Sequence, residues 1–584
     1  MKHLLVEEYE YDFSLLGICC HEKDYRICWA VNSTLDLNLT KSGKDIELIF
    51  NKKSKPNANF PIFSYINDVN SNEYYLIGNK CERSWLIPEK SHIDFFLLVK
   101  SDEKKNYDYY LKKLRKIPFI LMAHSVVVEQ LKSMIKEGVN VFRVNFSHGI
   151  HQDHINAIKK IRTVDEQLGT HSAILADLQG PKIRIGNMPE KGLLLKNNQE
   201  FILTTLEKRD LKNSAQIFID KIPKDVKKGE KVLIDDGKIL LEIVETNLKD
   251  TVKTKVVAGG LLFSKKGLNF PDTSISISSL TVKDKDDLVV ALDQKVDWIG
   301  FSFVRSAREV IELRHLINSH NGDAKIIAKI EKPEAVNDLH GILVEADAVM
   351  VARGDLGVEI PLESVPLIQK KIVSMAQDLA KPVIIATQMM ESMMDNITPN
   401  RAEVNDVANA VMDGADAVML SGETSVGKHP IEVIKIMSRI INEVENNFDN
   451  IYVKETLPKK NNERFITDSI CFNVCRLAQR VEAKAIITMT HSGYTAYKIS
   501  SQRPKSEIFV FSSNKKLLST LSLVWGVSTF YYNKTISTDH TIADITHLLK
   551  TENYAESGDL IINTASIPLL ENGKTNMLKL SYID

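Results

Sequence analysis

From about residue 116 to residue 421 the chain repeats one rhythm, a short apolar run followed by an amphipathic stretch, and this constrains the fold most. The apolar runs are Ile117 to Leu121, Val139 to Phe146, Ala173 to Leu178, Trp298 to Phe303, Lys325 to Glu331, Ala348 to Arg353, Pro382 to Thr387 and Ala417 to Ser421, eight in all. Between them, stretches such as Val128 to Glu137, Ala307 to Ile317 and Val365 to Leu379 repeat apolar residues at spacings of three and four, as a helix with one buried face does. Strands buried on both faces read as continuous apolar runs, and parallel strands need helical crossovers. Eight such units predict a (β/α)8 TIM barrel, whose chemistry sits at the C-terminal ends of its strands.

One interval breaks the rhythm. Residues 187–269 alternate Val, Ile, Leu, Lys and Thr with few helical stretches, and KVLIDDGKILLEIVE sets Asp236 and Gly237 between two β runs, a tight-hairpin signal. A small β-barrel domain inserted at the barrel mouth is expected, able to act as a lid. The catalytic barrel then spans 116–186 and 270–453. After a charged linker, Lys454 to Arg464, the runs AKAIITM, SEIFVFS and DLIINTA alternate with helices, so residues 465–584 are expected to form a C-terminal α/β domain. Residues 1–100 carry β-like runs such as YYLIGN and FFLLVKS and are expected to form an α+β extension, joined to the barrel by a mixed-charge linker over 101–115.

Lys plus Arg number 75 against 76 for Asp plus Glu, so the chain has no long-range field for nucleic acid or an anionic membrane. A polyanionic ligand must be small and held locally. No apolar stretch reaches the ~20 residues of a spanning helix, and MKHLLVEEYE places acids where a secretory signal needs an apolar core. A cytoplasmic protein is expected. The 6 cysteines lack paired CxxC spacing, which favours neither a disulfide framework nor a zinc site.

Two acids and a lysine at strand ends point to the chemistry. In an extended segment Lys329 and Glu331 share a face while Ile326, Ala328 and Ile330 take the other. The next run ends in Arg353, Gly354 and Asp355. Two hard oxygen ligands beside an ammonium suit magnesium bridging to a phosphate. A Lys-x-Glu pair alone is most often a solvated strand face; here the apolar strand and the second carboxylate motif reverse that reading. GETSVGKH, from Gly422 to His429, approaches a phosphate-binding loop but ends in His429 where a magnesium-binding hydroxyl belongs, and is read as a barrel loop.

Long blocks now converge. RVNFSHG at Arg143, ADLQGPKIRIG at Ala176, SKKGLNFP at Ser264, the KIE and ARGD blocks, ATQMMESM at Ala386, RAEVNDVANAVMDGADAVMLSGET at Arg401 and THSGYTA at Thr490 together resemble pyruvate kinases, from about residue 116 to the C-terminus. The resemblance implies transfer of the phosphoryl group of phosphoenolpyruvate to ADP, giving pyruvate and ATP. It implies Glu331 and Asp355 as ligands of Mg2+ or Mn2+, and Arg143 and Lys329 as contacts of the migrating phosphoryl group. Gly354 and Asp355, at the start of a short helix, would bind the substrate carboxylate, and Thr387 and Ser421 would serve protonation of the enolate through water. Asn145, His148, Arg184 and Lys266 would face the nucleotide. Asn145, Ser147, Asp177 and Leu178 correspond to a monovalent-cation site, but Lys182 occupies the position where lysine accompanies independence from potassium, so K+ is not expected to be required. Asn145 and Ser147 alone could be mere helix caps.

Thr490, His491, Ser492, Gly493 and Thr495 follow a strand and precede a helix, a place for the phosphate of an allosteric effector or, more plainly, a helix cap. The resemblance also implies a homotetramer. Where the family's first strand ends in Thr-x-Gly-Pro this chain has Ile120, Met122 and Ala123, which removes one wall of the nucleotide site. That departure leaves two rivals to an active pyruvate kinase: a nucleotide-impaired regulatory or scaffold protein, and another magnesium-dependent barrel enzyme acting on an enolate. IPEKSHIDF, at Ile87, weakly resembles the I-P-E-x-x-x-V-D-Y signature of small bacterial proteins of unassigned role.

Overall fold

A computed structural model of the chain describes residues 13–20, 22–43, 45–48, 58–67, 72–81, 84–86, 93–100, 107–114, 116–117, 122–124, 128–207, 213–452, 457–458, 460, 462–534, 537–567 and 573–584. Residues 87–92, most of the I-P-E-like stretch, fall outside them. The chain divides into two compact units, Met1–Gln130 and Leu131–Asp584.

The first unit is built on a six-stranded antiparallel sheet in the order Met122–His124, Phe13–Cys19, Phe95–Lys100, Asn72–Gly78, Ile62–Asn67, Thr40–Lys41. Helices Asp24–Leu35 and Tyr107–Leu114 complete a core that includes Leu16, Ile27, Leu76, Leu97 and Leu114. Two expectations are corrected here. The stretch read as a linker over 101–115 contains the helix Tyr107–Leu114, whose Leu114 is fully buried. Ile117, expected to begin the first barrel strand, is buried in this N-terminal core instead, its N–H donating to Leu114 O. Residues 118–121 lie outside the described set, and the strand that follows, Met122–His124, pairs with Cys19–Gly17. An edge strand offers a row of unmet backbone groups. Met122 and Ala123 can supply partners to it, whereas a Gly-Pro pair would lose a donor at 123.

The second unit holds the barrel. Its sheet runs in chain order, all parallel: β1 (Val141–Asn145), β2 (Ala173–Asp177), β3 (Trp298–Phe301), β4 (Lys325–Ile330), β5 (Ala348–Ala352), β6 (Val383–Ala386) and β7 (Ala417–Met419), seven strands among the described residues. Alternation along each strand makes two cores. Ile174, Ala176, Val349 and Val351 pack under the helices, while Leu175, Ile327, Ala348 and Met350 fill the interior. Asp177 continues the row of Leu175, and Lys329 and Glu331 continue that of Ile327, so the interior row turns polar at the C-terminal ends.

The inserted domain is a mostly antiparallel six-stranded sheet in the order Ser214–Gln216, Glu200–Thr204, Thr251–Ala258, Ile239–Thr246, Lys231–Ile234, Leu268–Asn269. Its ends are closed by residues 184–185, where Ile185 bridges Ile217 on one side and Arg184 bridges Gly267 on the other. At the Asp-Gly hairpin, Asp235, Asp236 and Gly237 all adopt positive φ. The C-terminal domain has a five-stranded sheet, parallel except for its last strand, in the order Val527–Tyr531, Glu507–Ser512, Ala485–Met489, Leu560–Ala565, Met577–Tyr582. No described helix is long and apolar enough to cross a membrane.

Candidate active site

At the C-terminal ends of β1, β2 and β4 a charged cluster lies almost out of solvent. Lys329 Nζ stands 3.1 Å from Asp177 Oδ1 and 3.1 Å from Glu331 Oε1, and donates to Ser302 Oγ at 2.7 Å. Arg143 Nε reaches Asp177 Oδ2 at 2.6 Å. Burial opposes ionisation of Asp177, but Lys329 and Arg143 outweigh it and hold its carboxyl below the usual range. Burial likewise opposes charging of Lys329, yet Asp177 and Glu331 keep its ammonium more firmly protonated than an ordinary lysine. Glu331 behaves differently. Burial pushes its carboxyl up to about 7 despite Lys329, with the Asp355 charge adding to the push.

Glu331 Oε2 accepts from the Phe303 N–H at 2.7 Å. Phe303 can turn that N–H inward because it sits at φ 56°, the left-handed region, an uncommon place for a bulky residue. Ser302 links the cluster to the next backbone layer, donating to Leu178 O at 2.6 Å. These two residues had no signal of their own in the sequence beyond their place just past a strand's C-terminal end.

Asp355 belongs to helix α1 (Arg353–Glu359), which follows β5 directly. Its Oδ1 lies 3.4 Å from Lys182 Nζ, and its side chain is about one-third exposed. A buried carboxylate that resists ionisation, beside a second carboxylate open to solvent, is a donor set short of positive charge, and a divalent cation fits it.

Gly354 and Thr387 are brought together, with the Gly354 N–H donating to Thr387 Oγ1 at 2.8 Å and Thr387 Oγ1 to Ala386 O at 2.6 Å. A Cβ at Gly354 would stand 3.3 Å from Thr387 Oγ1. Thr387 and Gln388 both adopt positive φ, at 70° and 56°, strain of the kind that collects at functional sites. Arg353, placed at the strand end in the sequence reading but assigned no role there, braces this turn through Thr387 O at 2.7 Å and Asp406 Oδ1 at 2.6 Å. The Ser421 N–H donates to buried Glu423.

The remaining candidates divide between barrel and inserted domain. Asn145 and Asp177 are register partners, Asn145 Oδ1 accepts from the Ser147 N–H, and His148 is exposed just beyond. Arg184 donates to Lys265 O at 3.0 Å, and Lys266 pairs with Asp235 at 2.8 Å. Lys428, of the phosphate-loop lookalike, pairs with Asp395. In the C-terminal loop His491 and Ser492 are exposed, Thr490 Oγ1 accepts from the Gly493 N–H, and Thr495 turns inward to Thr575 at 2.7 Å.

Residues 114–434 match the pyruvate kinase barrel domain and residues 468–581 the pyruvate kinase alpha/beta domain. The chain belongs to the pyruvate kinase family. It is 41% identical to a pyruvate kinase of Corynebacterium glutamicum over 76% of this chain and 92% of that one. It is 39% identical to pyruvate kinase 2 of a Synechocystis species over 78% of this chain and 77% of the relative. A solved pyruvate kinase of Cryptosporidium parvum superposes with a TM-score of 0.73 at 34% identity, covering 78% of this chain and 93% of that one. Membership of this family carries a divalent-metal requirement.

Proposed function

We propose that this chain transfers the phosphoryl group of phosphoenolpyruvate to ADP, giving pyruvate and ATP. The observation that carries the reading is the buried Lys329 ammonium held between Asp177 and Glu331, with Arg143 on the same Asp177 and Asp355 near enough to act on Glu331. Phosphoryl transfer is catalysed by positioning and by neutralising charge on the phosphoryl oxygens. Glu331 and Asp355 would hold the divalent ion, Mg2+ or Mn2+, which when bound supplies that neutralisation and orients the phosphate. Arg143 and Lys329 grip the phosphoryl group from the other side. As the bond from phosphorus to the enol oxygen breaks and one to an ADP β-phosphate oxygen forms, Lys329 stabilises the enolate left behind. The enolate then takes a proton at its terminal carbon. The Thr387 proton already points to Ala386 O, so a water oriented by Thr387 and Ser421 is the donor.

The inserted domain acts as a lid over the strand ends, and Arg184 and Lys266 on it, with Asn145 and His148 on the barrel, face the nucleotide. The loop Thr490–Thr495 takes a phosphorylated effector, and the enzyme assembles as a homotetramer. Lys182 places an ammonium 3.4 Å from Asp355, supplying locally the charge that a potassium ion would bring.

Pyruvate release from phosphoenolpyruvate and ADP, read with a coupled dehydrogenase, is expected to be strictly ADP-dependent, and Lys329→Met is expected to lower it by a factor on the order of 10³ or more. Turnover that ignores ADP would sink the reading. In tetramethylammonium buffer, added potassium is expected to change the rate less than about twofold; a tenfold rise would refute the role given to Lys182.

A further inference from the structure

Helix α1 carries two acids one turn apart, Asp355 and Glu359, on one face. Each holds one of the two chain crossings between barrel and inserted domain. Asp355 faces Lys182 on the entry crossing. Glu359 Oε1 accepts from Asn269 Nδ2 at 2.7 Å on the exit crossing. The same Oε1 takes Lys332 Nζ at 2.6 Å, and Lys332 is the residue that follows Glu331. Glu359 is 3% exposed, and its Oε2 is buried without a hydrogen-bond partner. Glu359, Lys332, Asn269 and Lys182 line one cleft, with Phe303 on its wall.

A buried carboxylate with one orphaned oxygen is a poor way to gain stability, since an apolar residue of similar size would do as well or better. Its worth lies in what it fixes. We propose that Glu359 is a positioning residue: it pins the end of α1 to Lys332 and to the root of the lid, so that Asp355 and Glu331 stay in reach of one divalent ion while the lid pivots at Asn269. Without the Glu359 charge, Lys332 is released beside Glu331 and competes with the ion for the same field. The far end of α1 loses its anchor, and Asp355 drifts with it. This rests on the reading of Glu331 and Asp355 as the ion's carboxylates.

The test is Mn2+ binding to the substrate-free full chain, followed by electron paramagnetic resonance and so independent of turnover. Glu359→Gln is expected to weaken Mn2+ binding about tenfold, the range typical of groups that support metal ligands. Its amide oxygen can still accept from Asn269. Asn269→Ala cuts only the lid side and is expected to leave Mn2+ binding within about twofold while raising the KM for ADP severalfold. Wild-type Mn2+ binding by Glu359→Gln, or equal weakening by both variants, would overturn the proposal. Should Glu359→Gln fail to fold, Lys332→Ala cuts the same tether of α1 without leaving a free ammonium, so a smaller loss of Mn2+ binding, about threefold, is expected, with unchanged binding again decisive against the proposal. Glu331→Gln separates the two levels: if it binds Mn2+ like wild type, the assignment of the carboxylates has failed, whatever Glu359 does.

Discussion

Glu331 carries a conflict that pH can expose. Its ordinary value is 4.5, and burial pushes it up to about 7 in the folded chain. Between those values the folded state holds a proton that the unfolded state has lost, so this group makes stability fall as pH rises. The penalty is absent below about 4.5, complete above about 7, and amounts to at most about 3 kcal/mol. A divalent ion on Glu331 and Asp355 favours the ionised form and reverses the balance. By calorimetry without metal, the melting midpoint of wild type is therefore expected to fall more between pH 5 and 7.5 than that of Glu331→Gln, and Mg2+ is expected to erase the difference. Parallel curves for the two proteins would mean that Glu331 titrates as an ordinary glutamate. The same conflict makes Mg2+ affinity weaken as pH drops through 7, because the proton and the ion compete for one carboxylate.

At the scale of elements, what could be read in advance was whatever follows from periodicity. The two-residue repeat of a strand puts Lys329 and Glu331 on one face, and they meet at 3.1 Å. The inserted sheet announced itself through alternation and the Asp236-Gly237 pair. What stayed hidden was carried by backbone groups and by chain path. Phe303 serves Glu331 with an N–H that every residue but proline possesses, and its left-handed φ left no mark in the sequence. Asn269 and Glu359 are 90 residues apart and polar residues of a common kind, so nothing in their local surroundings joined them. Ile117 misled for a related reason: an apolar residue suits the start of a barrel strand and the core beneath a short helix equally, and the N-terminal core took it. The Phe303 turn gives this scale its prediction. Gly180 has φ +67°, and a Cβ there would come within 2.7 Å of the Phe303 ring. Gly180→Ala must strain its own backbone and push Phe303, so the N–H that orients Glu331 moves. The variant is expected to lose about 1–3 kcal/mol of stability and to bind Mg2+ more weakly. Loss of stability with unchanged metal affinity would show that Phe303 merely fills space.

Across the second unit, a buried cation stands between the barrel and the C-terminal domain, beside a buried Trp298 Nε1 to Thr520 O hydrogen bond that also crosses the junction. Arg503 is 2% exposed; its guanidinium donates to Gly414 O at 2.6 Å, lies 3.3 Å from each Asp416 oxygen, and stacks 4.7 Å from the Trp525 ring. Asp416 in turn accepts from the Val383 N–H at 2.9 Å and from the Trp525 N–H at 3.2 Å. Val383 opens β6 and Asp416 precedes β7, the two strands whose far ends lead to Thr387 and Ser421. Helix Tyr494–Ser501, which begins at the proposed effector loop, ends two residues before Arg503. The cation therefore stands where a shift of that helix reaches the roots of the strands that handle the proton. Removing it leaves Asp416 buried with only backbone partners, and loss of one member of a buried pair costs about 3–5 kcal/mol. That cost falls on the junction, which Leu523 of the C-terminal domain also holds by packing into the barrel's interior core. In Arg503→Met, calorimetric unfolding is expected to split into two transitions where wild type shows one, with any effector response of the KM for phosphoenolpyruvate reduced in step. Arg503→Lys should recover only part of the loss, because an ammonium cannot span Gly414 and Asp416 while stacking on Trp525. A single transition at the wild-type midpoint in Arg503→Met would show that the junction is held by its apolar packing, and the coupling would then have to run by another route.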